Sequence, residues 1–206
     1  MKTHFLKIIL ICAIVTTSLS LSAQAGWIIT NYAGTSKLVS GTPYYLKDVE
    51  NGWHLCYKKR DFGINLGWDK KSKPNFIFEK QGGGFITCGD AVAIKVVGGD
   101  GYLKYESREW GINLTWSKTP VYQWEIRSVD NQKGSKLVTE TALGLLNTVE
   151  KDFMIHCERT GVPVVDLGWF KDCADGSRWP GATNALKDAL PWEKILKYGS
   201  ALAVLL

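Results

Sequence analysis

The chain carries one motif three times, about 50 residues apart. Arg60-Asp61-Phe62-Gly63-Ile64-Asn65-Leu66-Gly67-Trp68 returns without a gap as Arg108-Glu109-Trp110-Gly111-Ile112-Asn113-Leu114-Thr115-Trp116. A diverged copy opens at Arg159 and closes on Val165-Asp166-Leu167-Gly168-Trp169. A repeat of this period means that one supersecondary unit is built three times and packed against itself. The feature constrains architecture far more than chemistry.

Further segments align ahead of each motif. Trp27-Ile28-Ile29, Phe76-Ile77-Phe78 and Tyr122-Gln123-Trp124-Glu125-Ile126 open the three copies. Next come Leu38 to Leu46, Ile86 to Ile94 and Leu137 to Leu145, at one common interval. His54 to Tyr57, Tyr102 to Tyr105 and Phe153 to His156 follow, each starting the same distance before its arginine. All are short, rich in β-branched and aromatic residues, and bounded by Gly, Asn and Asp, as strands are. Alternation places Ile64, Leu66 and Trp68 on one strand face and Gly63, Asn65 and Gly67 on the other. No stretch from Gly26 to Trp169 carries a helical stripe.

Four strands in three units give twelve short antiparallel strands. This pattern resembles the β-trefoil superfamily, which includes ricin-B-type lectins, fascin-like actin binders, Kunitz-type inhibitors and certain growth factors. The resemblance covers residues 26–169 and rests on repeat geometry; the ricin-type Q-x-W signature is absent, since Gln123 and Trp124 are adjacent. It implies an all-β barrel of six strands capped by three hairpins, an arrangement that removes exposed sheet edges. Leu46, Ile94 and Leu145 then form one core ring, Leu55, Leu103 and Met154 a second, and Leu66, Leu114 and Leu167 a third. Trp68, Trp116 and Trp169 plug the hairpin cap.

Outside this span, Lys2, Lys7, the apolar run Ile8 to Val15 and Ala23-Gln24-Ala25 read as a secretory signal over residues 1–25. The expected location is therefore secreted, or periplasmic in a bacterium. Cleavage removes two lysines and lowers the net charge from +5 to +3. Basic residues are scattered, which argues against nucleic acid as a partner. Residues 170–206 read as a C-terminal extension: a loop from Asp172 to Gly181, then helices from Asn184 and from Glu193. Its apolar end is too short to span a bilayer, so a tail packed on the barrel is the expected role and membrane contact an alternative.

Four cysteines remain after the signal: Cys56, Cys88, Cys157 and Cys173. An even number in an exported chain predicts up to two disulfides, with Cys157–Cys173 the first choice because it ties tail to barrel. No C-x-x-C pair marks a zinc site, and no cofactor is implied. No nucleophile elbow, H-E-x-x-H or P-loop occurs, and Asp61 and Glu109 share one repeat position, so no enzyme is expected.

The recurring polar residues are the candidate ligand-binding groups: Arg60, Phe62 and Asn65; Arg108, Trp110 and Asn113; Arg159 and Asp166. A guanidinium, an amide and an aromatic ring on one outward face suit a sugar, whose hydroxyls hydrogen-bond and whose C–H face stacks on the ring. An Arg and an Asn beside a tight loop equally brace it. The expected function is an exported carbohydrate-binding module acting on glycans or a glycosylated surface, such as the adhesive part of a toxin. A protease inhibitor using the Lys70–Pro74 loop, and a structural or membrane-associated protein acting through its tail, are the alternatives.

Overall fold

The computed structural model describes residues 26–61, 63–99, 101–109, 111–128, 132–158 and 165–174. The signal segment, the tail beyond Ala174, and Phe62, Trp110 and Arg159 lie outside the described residues. The first four strands are β1 (Trp27–Thr30), β2 (Pro43–Asp48), β3 (His54–Tyr57) and β4 (Leu66–Asp69). The next four are β5 (Phe76–Lys80), β6 (Ala91–Val96), β7 (Tyr102–Tyr105) and β8 (Leu114–Ser117). Then come β9 (Trp124–Arg127), β10 (Ala142–Asn147), β11 (Asp152–His156) and β12 (Leu167–Trp169), followed by a short helix, α1 (Phe170–Ala174).

All strand pairs are antiparallel. Pairing runs β1–β2–β5–β6–β9–β10 and returns from β10 to β1, which closes a six-stranded barrel. The remaining strands form hairpins β3–β4, β7–β8 and β11–β12, joined to the barrel through β2, β6 and β10. Registers correspond between them: Leu46 faces Leu55, Ile94 faces Leu103 and Leu145 faces Met154. Likewise Leu55 faces Trp68, Leu103 faces Trp116 and Met154 faces Trp169.

Alternation of side chains fixes these registers, because a one-residue slip would turn each apolar set to solvent. In β9, Trp124 and Ile126 are buried while Glu125 and Arg127 are half-buried. The nine ring positions read from the sequence are all buried, none more than 1% exposed. Each contributes roughly 1.5–3 kcal/mol of transfer free energy. A further layer, Leu38, Ile86 and Leu137, is equally buried beside three isolated bridges that link the loops Lys37–Val138, Val39–Phe85 and Thr87–Lys136. Of the three cap tryptophans, Trp169 is buried, while Trp68 and Trp116 are half-buried against the core.

Buried indoles need partners for their N–H groups, and three of them find backbone carbonyls in a neighbouring repeat. Trp27 Nε1 donates to Met154 O at 2.8 Å, Trp124 Nε1 to Leu103 O at 2.9 Å and Trp169 Nε1 to Ile112 O at 2.8 Å. Trp27 stacks on Trp68, and Trp124 on Trp169.

Asp172, expected in a loop, lies in α1, which begins directly after β12. Several contacts hold the helix, among them a Lys171–Glu150 ion pair at 3.9 Å. Buried Asp152 accepts from Lys171 N and Phe153 N, both at 2.8 Å. Cys157 and Cys173 are disulfide-bonded with Cα atoms 5.9 Å apart, inside a small apolar cluster with Ile155 and Phe170. The bridge passes over Gly168, where a Cβ would lie 3.1 Å from both Cys157 Cβ and Cys157 Sγ. The second disulfide allowed by the cysteine count does not form: Cys56 and Cys88 are free and buried. Cys56 lies in β3, where its thiol donates to Gly67 O at 3.4 Å.

Candidate functional site

The repeated polar residues sit in the loops that enter β4, β8 and β12. Asn65, Asn113 and Asp166 were expected on those strands; each instead precedes the first strand residue by one position. At Asn113 the displacement has a local cause. Asn113 has φ 58°, in the left-handed region, and its neighbour begins the strand. Asparagine tolerates that conformation better than other non-glycine residues because its amide bonds locally.

That local bond is present twice. Asn65 Oδ1 accepts from Arg60 N, and Asn113 Oδ1 from Arg108 N, both at 3.0 Å. The guanidinium closes the same loop from its other side: Arg60 Nη1 donates to Leu66 O at 3.4 Å and Arg108 Nη1 to Leu114 O at 3.2 Å. Backbone bonds complete the brace, from Lys58 N to Asn65 O and from Glu106 N to Asn113 O. In the third loop, Cys157 N donates to Asp166 O at 3.2 Å. The geometry gives these Arg and Asn groups a bracing task. Phe62, Trp110 and Arg159, which complete the sequence-derived sites, lie outside the described residues.

A measurable consequence attaches to Asn113. Asn113→Ala forces alanine into the left-handed region, at about 1–2 kcal/mol, and removes an acceptor worth about 0.5–1.5 kcal/mol. Urea denaturation should therefore show a loss of about 1.5–3.5 kcal/mol, with Asn113→Gly losing less. A loss below about 0.5 kcal/mol, the range of an ordinary surface change, would remove the bracing role.

A second group of polar and aromatic residues gathers beside β1, where the repeat pattern had given no signal. Tyr32 follows β1 in a loop, is 59% exposed and has φ 60°. Its N–H donates to the hydroxyl of fully buried Thr30 at 3.0 Å, and that hydroxyl donates to Glu140 Oε1. Glu140 is also left-handed, at φ 64°, and is pinned by its N–H to Ile29 O at 3.1 Å. Two non-glycine residues in this costly region, joined through one buried threonine, mark a place where surrounding structure holds backbone strain.

The Tyr32 ring packs on two others. Its centroid lies 4.6 Å from Tyr45 and 6.2 Å edge-on from His54, while Tyr45 and His54 are 5.2 Å apart. Tyr32 Oη and His54 Nε2 are 2.8 Å apart. Burial pushes the His54 imidazole below its ordinary pKa, and Lys47 adds to the effect. Burial, Tyr45 and Glu140 push the Tyr32 phenol up. Both groups are thus neutral near pH 7, and the shifts move them away from acid–base exchange. The result is a rigid, outward aromatic ring with a hydroxyl fixed from behind and a carboxylate beside it. Trp53, which precedes His54, is 39% exposed beneath the Lys70 ammonium, 5.0 Å from its ring centroid.

Asp48, Glu50 and His156 bring one carboxylate oxygen each and an imidazole nitrogen within 4.8 Å of one another. No helix among the described residues is long and apolar enough to cross a membrane. Comparison with known proteins assigns the chain to no family: no family model, curated protein or solved structure matches it.

Proposed function

We propose that this chain is an exported, non-catalytic carbohydrate-binding domain of β-trefoil architecture, with glycans or a glycosylated surface as its partner. The architecture is supported by the closed barrel, by the corresponding registers of the three hairpins and by the sequence repeat that underlies both. Export is supported by the apolar N-terminal run and by a disulfide, which persists in oxidising compartments.

One observation carries the binding reading: the Tyr32 ring, exposed yet immobilised against Tyr45 and His54, beside the Glu140 carboxylate. A sugar presents an apolar C–H face and a rim of hydroxyls, and this pairing of ring and acceptor answers both. Rigid tyrosines supply contact area at low entropic cost. The braced loops at Arg60 and Arg108 stand as further contact points around the barrel.

A glycan array on the mature protein should return a defined set of ligands. Tyr32→Ala, verified as folded by circular dichroism, should then weaken binding to the best of them at least about tenfold, the equivalent of about 1.4 kcal/mol. Tyr32→Phe, which keeps the ring, should retain most of the affinity. Absence of glycan binding by folded protein, or full binding by Tyr32→Ala, would overturn the proposal.

A further inference from the structure

We infer that Asp48, Glu50 and His156 form a divalent-cation site of the zinc class where the first four strands meet the last four. Asp48 ends β2, Glu50 lies in the following turn and His156 ends β11. Asp48 is 2% and His156 8% exposed; Glu50 is exposed. His156 Nδ1 and Asp48 Oδ2 are 3.8 Å apart, too long for a hydrogen bond. The gap suits two ligands of a shared ion bound at about 2.0–2.2 Å each. Glu50, at the solvent side, swings in as the third ligand, and water completes the shell. One imidazole and two carboxylates form a donor set that zinc accepts.

The barrel itself does not call for these residues. By the repeat alignment, Asp48 corresponds to Val96 and Asn147, Glu50 to Gly98 and Val149, and His156 to Tyr57 and Tyr105. At the next junction, Tyr57 packs beside Val96 and Gly99. At the third, Tyr105 stands beside Glu150, which pushes its phenol up. Tyrosine therefore fills this corner wherever the fold alone decides. Only the junction between the first and last four strands places a histidine there, opposite two acids.

The surroundings show how the ligands are held. Asp48 Oδ2 accepts from Asn51 N at 3.0 Å, which fixes the carboxylate in the turn. Trp68 meets the His156 ring edge-on at 4.9 Å. Asn51 Nδ2 lies 3.3 Å from His156 Nε2, and Asn51 Oδ1 accepts from Trp53 N at 2.7 Å. Ligation through Nδ1 puts the ring proton on Nε2. Asn51 must then turn its amide oxygen to that proton and release the exposed Trp53 N–H, and this gives the ion a defined orienting partner.

The test uses the mature chain, freed of metal by chelation and dialysis, and zinc chloride as the probe. Titration calorimetry should show one ion bound per chain, with an accompanying rise in melting temperature. Asp48→Asn and His156→Tyr install the side chains found at corresponding positions, so both should fold, as near-ultraviolet circular dichroism will verify. Each should weaken zinc binding at least about tenfold. Failure of the folded wild-type protein to bind zinc at millimolar concentration would overturn the inference. So would binding unchanged in either folded variant, which would move the ion to the free cysteines or His54. Should either variant misfold, Glu50→Gln, at an exposed position, must still weaken binding, and an unchanged affinity there counts against the site.

Discussion

Replacing Trp124 by alanine is expected to remove about 3–5 kcal/mol of stability, the usual cost of truncating a buried tryptophan. Three terms combine at this position. The side chain is fully buried, so its loss leaves a cavity among ring residues. Its indole N–H is the donor that reaches Leu103 O across the boundary to β7. Its ring stacks on Trp169, with centroids 6.2 Å apart. A domain of this size has about 5–15 kcal/mol in all, so the variant should unfold well below the wild-type denaturant midpoint. Equilibrium denaturation in urea measures the difference, and a loss under about 1 kcal/mol would mean that Trp124 is not a core element.

Loss of the disulfide has the second large expected effect. Cys157 and Cys173 are 16 residues apart. Closing a loop of about that length removes chain entropy from the unfolded state worth about 3 kcal/mol. A double Cys157→Ser, Cys173→Ser variant should lose about 2–4 kcal/mol, and α1 should become the first site of proteolysis. The cluster beneath α1 is small, with Ile155, Cys157, Phe170 and Cys173 at its centre. Without the bridge, helix attachment rests on that cluster, on the Lys171–Glu150 ion pair and on Asp152, whose carboxyl burial already pushes above its ordinary pKa. Identical melting of the oxidised and reduced wild-type protein would contradict the expectation.

The core positions were legible because the sequence repeat supplies three readings of each. Leu46, Ile94 and Leu145 identify one another without any structure. The layer of Leu38, Ile86 and Leu137 offered the same signal, yet it lies in bridged loops outside the strands and strand periodicity does not reach it. Asn65 and Asn113 show where alternation misleads. The alternation from Gly63 starts three residues ahead of β4, which begins at Leu66, and at Asn113 a left-handed turn precedes the strand. Tyr32 left no trace in the repeat, since it occupies a loop with no aromatic counterpart. The Asp48–His156 proximity was hidden by sequence distance: each residue belongs to a different unit, and each is an exception at its repeat position.

The joint between β1 and β10 has a consequence for how the chain is made. It consists of two residue pairs, Trp27 with Leu143 and Ile28 with Ala142, whereas β5 and β6 share five. Strand β1 is synthesised first, and its last partner only when most of the domain has followed. Until then β1 and β9 are both open edges able to recruit foreign strands. Contacts this distant in sequence form slowly. Truncation before Ala142, or stalled synthesis there, therefore leaves a nearly complete sheet with two adhesive sides, and the chain's most aggregation-exposed moment falls just before its ring is joined.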